Sequence, residues 1–155
     1  MVLENALRIL KQFAIHEVDY VLVGGVTLNL HGIIRTTEDI DLFIKPKPDN
    51  IERLKEALKA VYSDPDIDDI TAEDFSSSYP IVRYIPPDET LHLDLVAALG
   101  FFTSFEDLEA EQREFDGVNV SLATPRTLYW LKRDTLRLID KADAEALRKK
   151  FDLER

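Results

Sequence analysis

Tyr20 to Ile44 reads YVLVGGVTLNLHGIIRTTEDIDLFI, and the reading of this stretch decides the fold. Val21-Leu22-Val23 runs apolar into the pair Gly24-Gly25, and Asp39-Ile40-Asp41-Leu42-Phe43-Ile44 follows soon after. Alternate side chains of a strand share a face, so Asp39 and Asp41 point one way while Ile40, Leu42 and Ile44 point into a core. Two neighbouring carboxylates repel unless something positive sits between them, and a divalent metal is the usual answer. A glycine turn beside them offers bare backbone N–H groups that can cradle phosphate oxygens. Metal plus phosphate cradle makes a nucleotide site the leading idea.

Context carries that signal, because acid pairs are common here. With 30 Asp and Glu among 155 residues, roughly six acid-x-acid pairs arise by chance. Asp64 with Asp66, Asp66 with Asp68 and Asp107 with Glu109 are such pairs, in polar surroundings that read as solvated surface. Asp39/Asp41 alone alternates with large aliphatics. Burying half of that strand brings its charged face near the domain body, at a free-energy cost unless the charge is used.

Outward from this stretch, the helical spacing of Leu3, Ala6, Leu7, Leu10, Phe13 and Ala14 predicts a helix over Val2 to His16. Val18 to Val23 reads as a strand, Thr27 to His31 as a short helix ended by Gly32, and Asp39 to Ile44 as a strand stopped by Lys45-Pro46-Lys47-Pro48. Asp49 or Asn50 is expected to cap a helix through Val61. Ser63 to Ser78 reads as loop, with one short helix near Thr71 to Phe75. Ile81–Ile85 and Leu91–Leu95 form two strands joined through Pro86-Pro87-Asp88-Glu89. In the second, Leu91, Leu93 and Leu95 face one side and His92 and Asp94 the other, repeating the pattern of Asp39/Asp41. Asp116-Gly117 is a two-residue hairpin signal between Glu111–Phe115 and Val118–Leu122. Thr124 caps and Pro125 opens a helix, and Leu128, Leu131, Leu136 and Ile139 carry one or two helices to the end. With neither repeats nor a linker, residues 1–155 read as one α+β domain, a mixed β-sheet flanked by helices.

Composition bounds the function. At 155 residues and 45% hydrophobic content, the chain can bury a real core. It has no cysteine, which removes disulfides and thiolate metal sites. No apolar run approaches a bilayer span and no leader pattern opens the sequence, so a soluble, cytoplasmic protein without membrane association is expected. A net charge of −11 argues against a broad nucleic-acid-binding surface while allowing one local basic patch.

Asp39, Asp41 and Asp94 therefore form a candidate triad on two strands. If those strands are neighbours, the three carboxylates suit two Mg²⁺ ions (Mn²⁺ as the alternative) that hold a triphosphate and lower the pKa of an attacking hydroxyl. Val23-Gly24-Gly25, a spacer, Asp39-Ile40-Asp41-Leu42 and the later Leu93-Asp94-Leu95 resemble the signature of the DNA polymerase β-type nucleotidyltransferase superfamily. Gly32 and Arg35-x-Thr37 just ahead of the acidic pair make the chain similar to small stand-alone bacterial and archaeal members, among them AbiEii-like toxins and lincosamide-type antibiotic transferases. The resemblance is strong from Tyr20 to Ile44, moderate from Leu91 to Val96 and weak in the C-terminal helices. It implies that Asp39 and Asp41 bind both metals, that Asp94 completes the one activating the acceptor, and that Gly24 and Gly25 hold the β- and γ-phosphates, aided by the helix start after Gly25.

Other residues keep two readings. Arg35 pairs a phosphate oxygen or balances Glu38 at the surface, and Thr37 contacts the nucleotide or only shapes the turn before the strand. AbiEii-like relatives carry a Lys and then an Arg-x-Lys-Asp-x-x-Asp stretch near the nucleotide. Here Lys132, Arg137, Asp140 and Asp143 match, but Ile139 stands where the second Lys is expected. Lys132 is thus a phosphate ligand or a solvated helix position. His92 reads as a structural histidine, His16 and His31 as helix-end residues, and Tyr129 and Trp130 as core packing.

The expected activity is Mg²⁺-dependent transfer of NMP from an NTP to a hydroxyl of an unidentified acceptor (a small molecule, a protein or an RNA 3′ end), releasing pyrophosphate. The competing reading is a non-catalytic nucleotide-binding or regulatory module, such as one half of a toxin–antitoxin pair. A chain of this size either builds its acceptor groove with a second copy, as a homo-oligomer, or a partner protein, or uses both terminal helices to fill one core.

Overall fold

The computed structural model describes residues 2–37, 39–77, 80–87, 90–98, 104–133 and 138–154, with the backbone alone for Val2 and Leu138. Its elements run α1 (Val2–Ile15), β1 (Tyr20–Val23), α2 (Gly24–Leu30), β2 (Asp39–Ile44), α3 (Pro48–Val61), β3 (Ile81–Tyr84), β4 (His92–Val96), β5 (Ala110–Phe115), β6 (Val118–Ala123), α4 (Pro125–Arg133) and α5 (Leu138–Phe151). Short 3₁₀ turns at Pro65–Asp69, Ala72–Phe75 and Phe105–Asp107 fill the connections. The six strands form one mixed sheet in the order β3-β4-β2-β1-β6-β5, an α+β architecture. β2 runs parallel to β4 and β1 parallel to β6, while the remaining neighbours are antiparallel.

Alternation along the strands divides the core between the two faces of the sheet. Leu22, Ile40, Leu42, Ile44, Leu93 and Leu95 pack against Ala6, Ile9, Leu10 and Phe13 of α1 and against Ile51, Leu54 and Leu58 of α3. Val21, Val23, Phe43 and Val96 pack on the other face against Leu128 and Tyr129 of α4 and Ala144 and Leu147 of α5. Asp39 and Asp41 share this second face with Phe43, so the carboxylates lie where the cover of α4 and α5 ends. No helix among the described residues is long and apolar enough to cross a membrane.

Several local expectations are corrected. α2 begins at Gly24, three residues before Thr27, because Gly24 adopts φ +76° and turns the chain directly out of β1. Neither Asp49 nor Asn50 caps α3; Lys47 precedes it without a side-chain cap and Pro48 opens it. Asn50 is buried and ties the loops together instead: it accepts from Asp19 N (2.7 Å) and donates to the carbonyls of Asp19 and Lys45 (both 2.9 Å). Trp130 is 40% exposed, since two residues on from buried Leu128 lies about 200° around the helix. His31 and His16 do sit at helix ends, His31 as the C-cap of α2 and His16 just past α1 with its Nδ1 2.9 Å from the Gln12 carbonyl; His31 is also tied to the sheet, its Nε2 2.8 Å from the Ala123 carbonyl. The β5–β6 turn is as expected, with positive φ at both Asp116 and Gly117. Of the residues singled out from sequence, Glu38, Ser78, Asp88, Glu89, Leu136 and Arg137 lie outside the described residues.

Candidate active site

Strand register lines up the charged residues in one row. Val23 pairs with Asp41, Asp41 with Asp94, and Asp94 with Arg83, so β1, β2, β4 and β3 each contribute one position. One step along, Asp39 pairs with His92, whose Nδ1 is 3.4 Å from Asp39 Oδ1. At the end of the row Arg83 grips Asp94 with both arms, Nε to Oδ1 at 2.8 Å and Nη2 to Oδ2 at 3.1 Å. That forked pairing is the strong geometry for guanidinium and carboxylate.

Asp41 sits deepest. Burial, then the charges of Asp94 and Asp39, push its carboxyl up to about 7; Lys132 opposes the shift, and a hydrogen bond to Asp94 favours the protonated form. Gly24 makes this closeness possible, because a Cβ there would land on Asp41 Oδ2 and lie 2.8 Å from its Cγ. Gly25 is pressed against Thr37 in the same way, a Cβ falling 2.9 Å from Thr37 Cβ. Thr37 Oγ1 donates to the Asp39 carbonyl (3.2 Å) and accepts from the Asp39 N–H (3.3 Å), which sets the start of β2. The two glycines thus let the α2 backbone lie on the carboxylate strand.

A cavity of about 450 Å³ opens over this row, lined by Val23, Gly24, Asp41, Arg83, Asp94 and Val96 on the sheet side and Leu128, Leu131, Lys132 and Asp140 on the helix side. Lys132 is buried and not solvated: Nζ lies 3.2 Å from Asp140 Oδ1 and 3.1 Å from Asp143 Oδ2. Asp140 and Asp143 are three residues apart on α5, hence on one helix face. Arg35 Nη1 also reaches Asp143 Oδ2, at 2.8 Å. The structure therefore turns Arg35 toward α5, and the cavity lining does not include it. Ile139 is 45% exposed and does not line the cavity.

The donor set fits a hard divalent cation in chemistry, though not as a closed cage. Asp41 and Asp94 adjoin, and the crowding that raises Asp41 is what a cation relieves. Among the described residues no three Asp, Glu or His side chains converge as metal ligands. Mg²⁺ does not need that, since it is held by one or two carboxylates with water and substrate phosphates.

Arg83 is the site residue that the sequence reading missed. Its signal was available: Ile81, Arg83 and Ile85 alternate, and the register of the β3–β4 hairpin puts one of them beside Asp94.

The model of the family described as nucleotidyl transferase AbiEii toxin, type IV toxin–antitoxin system, matches residues 8–150. Among solved structures, a protein from Thermotoga maritima assigned as a nucleotidyltransferase is similar at 15% identity, over 97% of this chain and 92% of that one, with a TM-score of 0.58. The lincosamide antibiotic adenylyltransferase LnuA, solved with lincomycin, is similar at 15% identity over 88% and 89%, TM-score 0.53. An antigenic nucleotidyltransferase-like protein from Paracoccidioides brasiliensis follows at 16% identity over 96% and 76%, TM-score 0.53. These likenesses show the shared fold. No protein of curated function matches the sequence. The chain belongs to the AbiEii nucleotidyl transferase family.

Proposed function

We propose that this member of the AbiEii family transfers a nucleoside monophosphate from an NTP to a hydroxyl of its acceptor, in a Mg²⁺-dependent reaction that releases pyrophosphate. The observation that carries the reading is the row Gly24–Asp41–Asp94, with glycine backbone laid against one of two adjoining carboxylates at the floor of a cavity. Asp41 and Asp94, joined by Asp39 once it leaves His92, would hold Mg²⁺ or Mn²⁺. The ion supplies charge neutralisation along the triphosphate and lowers the pKa of the acceptor hydroxyl.

The chain's own residues do the rest. Gly24 and Gly25 admit the phosphates close to the backbone, where a side chain would block them. Asp94, one strand beyond Asp41 in the row, takes the acceptor proton. The acceptor oxygen forms a bond to the α-phosphorus, and the bond from that phosphorus to the oxygen bridging to the β-phosphorus breaks. Lys132 sets the electrostatics of Asp41 from above and is positioned by Asp140 and Asp143. Thr37 positions Asp39 through its backbone, and Arg35 acts on the cavity only through Asp143.

Pyrophosphate release tests this directly. Wild type with Mg²⁺, an NTP and a cell extract as acceptor source releases it, and Asp41→Asn or chelation stops it. Release that continues in Asp41→Asn refutes the assignment. The family description supports a second reading, that the activity is the toxic half of a toxin–antitoxin pair. Expression then arrests growth for wild type and not for Asp41→Asn; equal growth of both counts against it.

A further inference from the structure

Asp94 and Asp41 face each other in the low-dielectric floor of the cavity, yet the forked cation that balances them comes from an edge strand. The Arg83 side chain is 53% exposed, whereas that of Asp94 is 16% exposed. The carboxylate is fixed and the guanidinium stands at the cavity rim, free to leave toward solvent or toward an anion in the cavity. Register keeps it there, because Arg83 and Asp94 are directly opposite across β3 and β4 and both line the cavity. The other cation on the cavity wall, Lys132, is already engaged by Asp140 and Asp143.

We propose that Arg83 is an exchangeable counter-ion, occupying Asp94 in the free protein and moving to a phosphate of the NTP when the divalent ion takes Asp94. This rests on the metal–NTP reading above. The exchange conserves charge: the pair Arg83–Asp94 and the pair of metal and nucleotide phosphate swap partners, with no bond made or broken. Free divalent ion must evict a guanidinium without offering it a new anion, so it binds weakly. The metal–nucleotide complex offers that anion and binds well. The site is thereby loaded by both together, and free ion alone does not fill it.

Two binding measurements on Arg83→Gln test this, and their opposite signs are the signature. Free Mn²⁺, titrated by electron paramagnetic resonance without nucleotide, binds about fivefold more tightly to Arg83→Gln than to wild type, the scale of one partly exposed ion pair. Mg²⁺–NTP, titrated by calorimetry, binds about tenfold more weakly, the scale of one charge-assisted phosphate contact. Arg83→Lys, which keeps the charge and loses the fork, lies between on both. If both affinities fall together or neither moves, Arg83 only pins β3 to β4 and the proposal is overturned. If wild type binds neither Mn²⁺ nor Mg²⁺–NTP, the metal–NTP reading itself falls and takes this one with it. Should Arg83→Gln fail to fold, Arg83→Lys carries the same comparison.

Discussion

Replacing Asp41 by Asn removes a charge that the folded protein carries at a cost. The carboxyl titrates near 7 in the fold, against 3.8 for an ordinary aspartate. Each pH unit between the two values is worth about 1.4 kcal/mol, which sets a ceiling of about 4 kcal/mol. Relaxation and water around a partly exposed side chain bring this to about 2–3 kcal/mol. The folded protein keeps the proton to higher pH than the unfolded chain does. Stability from this group is therefore full below about pH 4 and is lost as pH rises through 7. In EDTA at pH 8, Asp41→Asn should be the more stable protein, melting roughly 5–10 °C above wild type for a chain of this size. The gap should shrink as pH falls and close near pH 4, where both proteins are neutral at this position. Mg²⁺ added together with an NTP should raise the wild-type melting temperature and leave that of Asp41→Asn nearly unchanged, while Mg²⁺ alone should move wild type little. Thermal unfolding followed by circular dichroism reads all of this. An Asp41→Asn protein no more stable than wild type at pH 8, or a gap that ignores pH, refutes the electrostatic reasoning.

Gly24→Ala forces a side chain into a left-handed backbone position and onto Asp41; denaturant unfolding should show a loss of about 1–2 kcal/mol, and calorimetry a Mg²⁺–NTP affinity at least about tenfold weaker. Lys132→Met leaves two buried carboxylates short of their shared cation, so the same unfolding assay should show a loss of about 3–5 kcal/mol. Adding Asp140→Asn to it should restore part of that loss. Asn50→Ala strands the backbone groups of Asp19 and Lys45 and should lose about 2–3 kcal/mol by denaturant unfolding while Mg²⁺–NTP affinity stays unchanged.

The strands and the carboxylate row were legible because period-two alternation is a local property. Ile40, Leu42, Leu93 and Leu95 announce one buried face and leave Asp39, Asp41 and Asp94 on the other. What pairs with those carboxylates is set by partners distant in sequence. Arg83 meets Asp94 through hairpin register, and Arg35 and Lys132 meet on Asp143 only because α4 and α5 fold back over the sheet. Along the sequence Glu38 is the acid nearest to Arg35, whereas its partner Asp143 lies more than a hundred residues away on α5. The sequence places the start of α2 three residues late because a glycine pair looks like a turn. Here one glycine supplies the turn and the helix begins within it. Trp130 shows the limit of composition: Leu128 and Tyr129 beside it are buried, but its own angle on α4 turns it outward.

Transfer from an NTP labelled separately at the α- and γ-phosphorus tests the central claim most directly. Incubated with Mg²⁺ and a cell extract, the wild-type protein should place α-label, and no γ-label, in an acceptor, with the γ-label recovered in pyrophosphate. Asp39→Asn/Asp41→Asn should move neither. Gamma-label in the acceptor would make the reaction phosphoryl transfer, and α-label transferred equally by the double variant would place the chemistry away from the carboxylate row; either result contradicts the account.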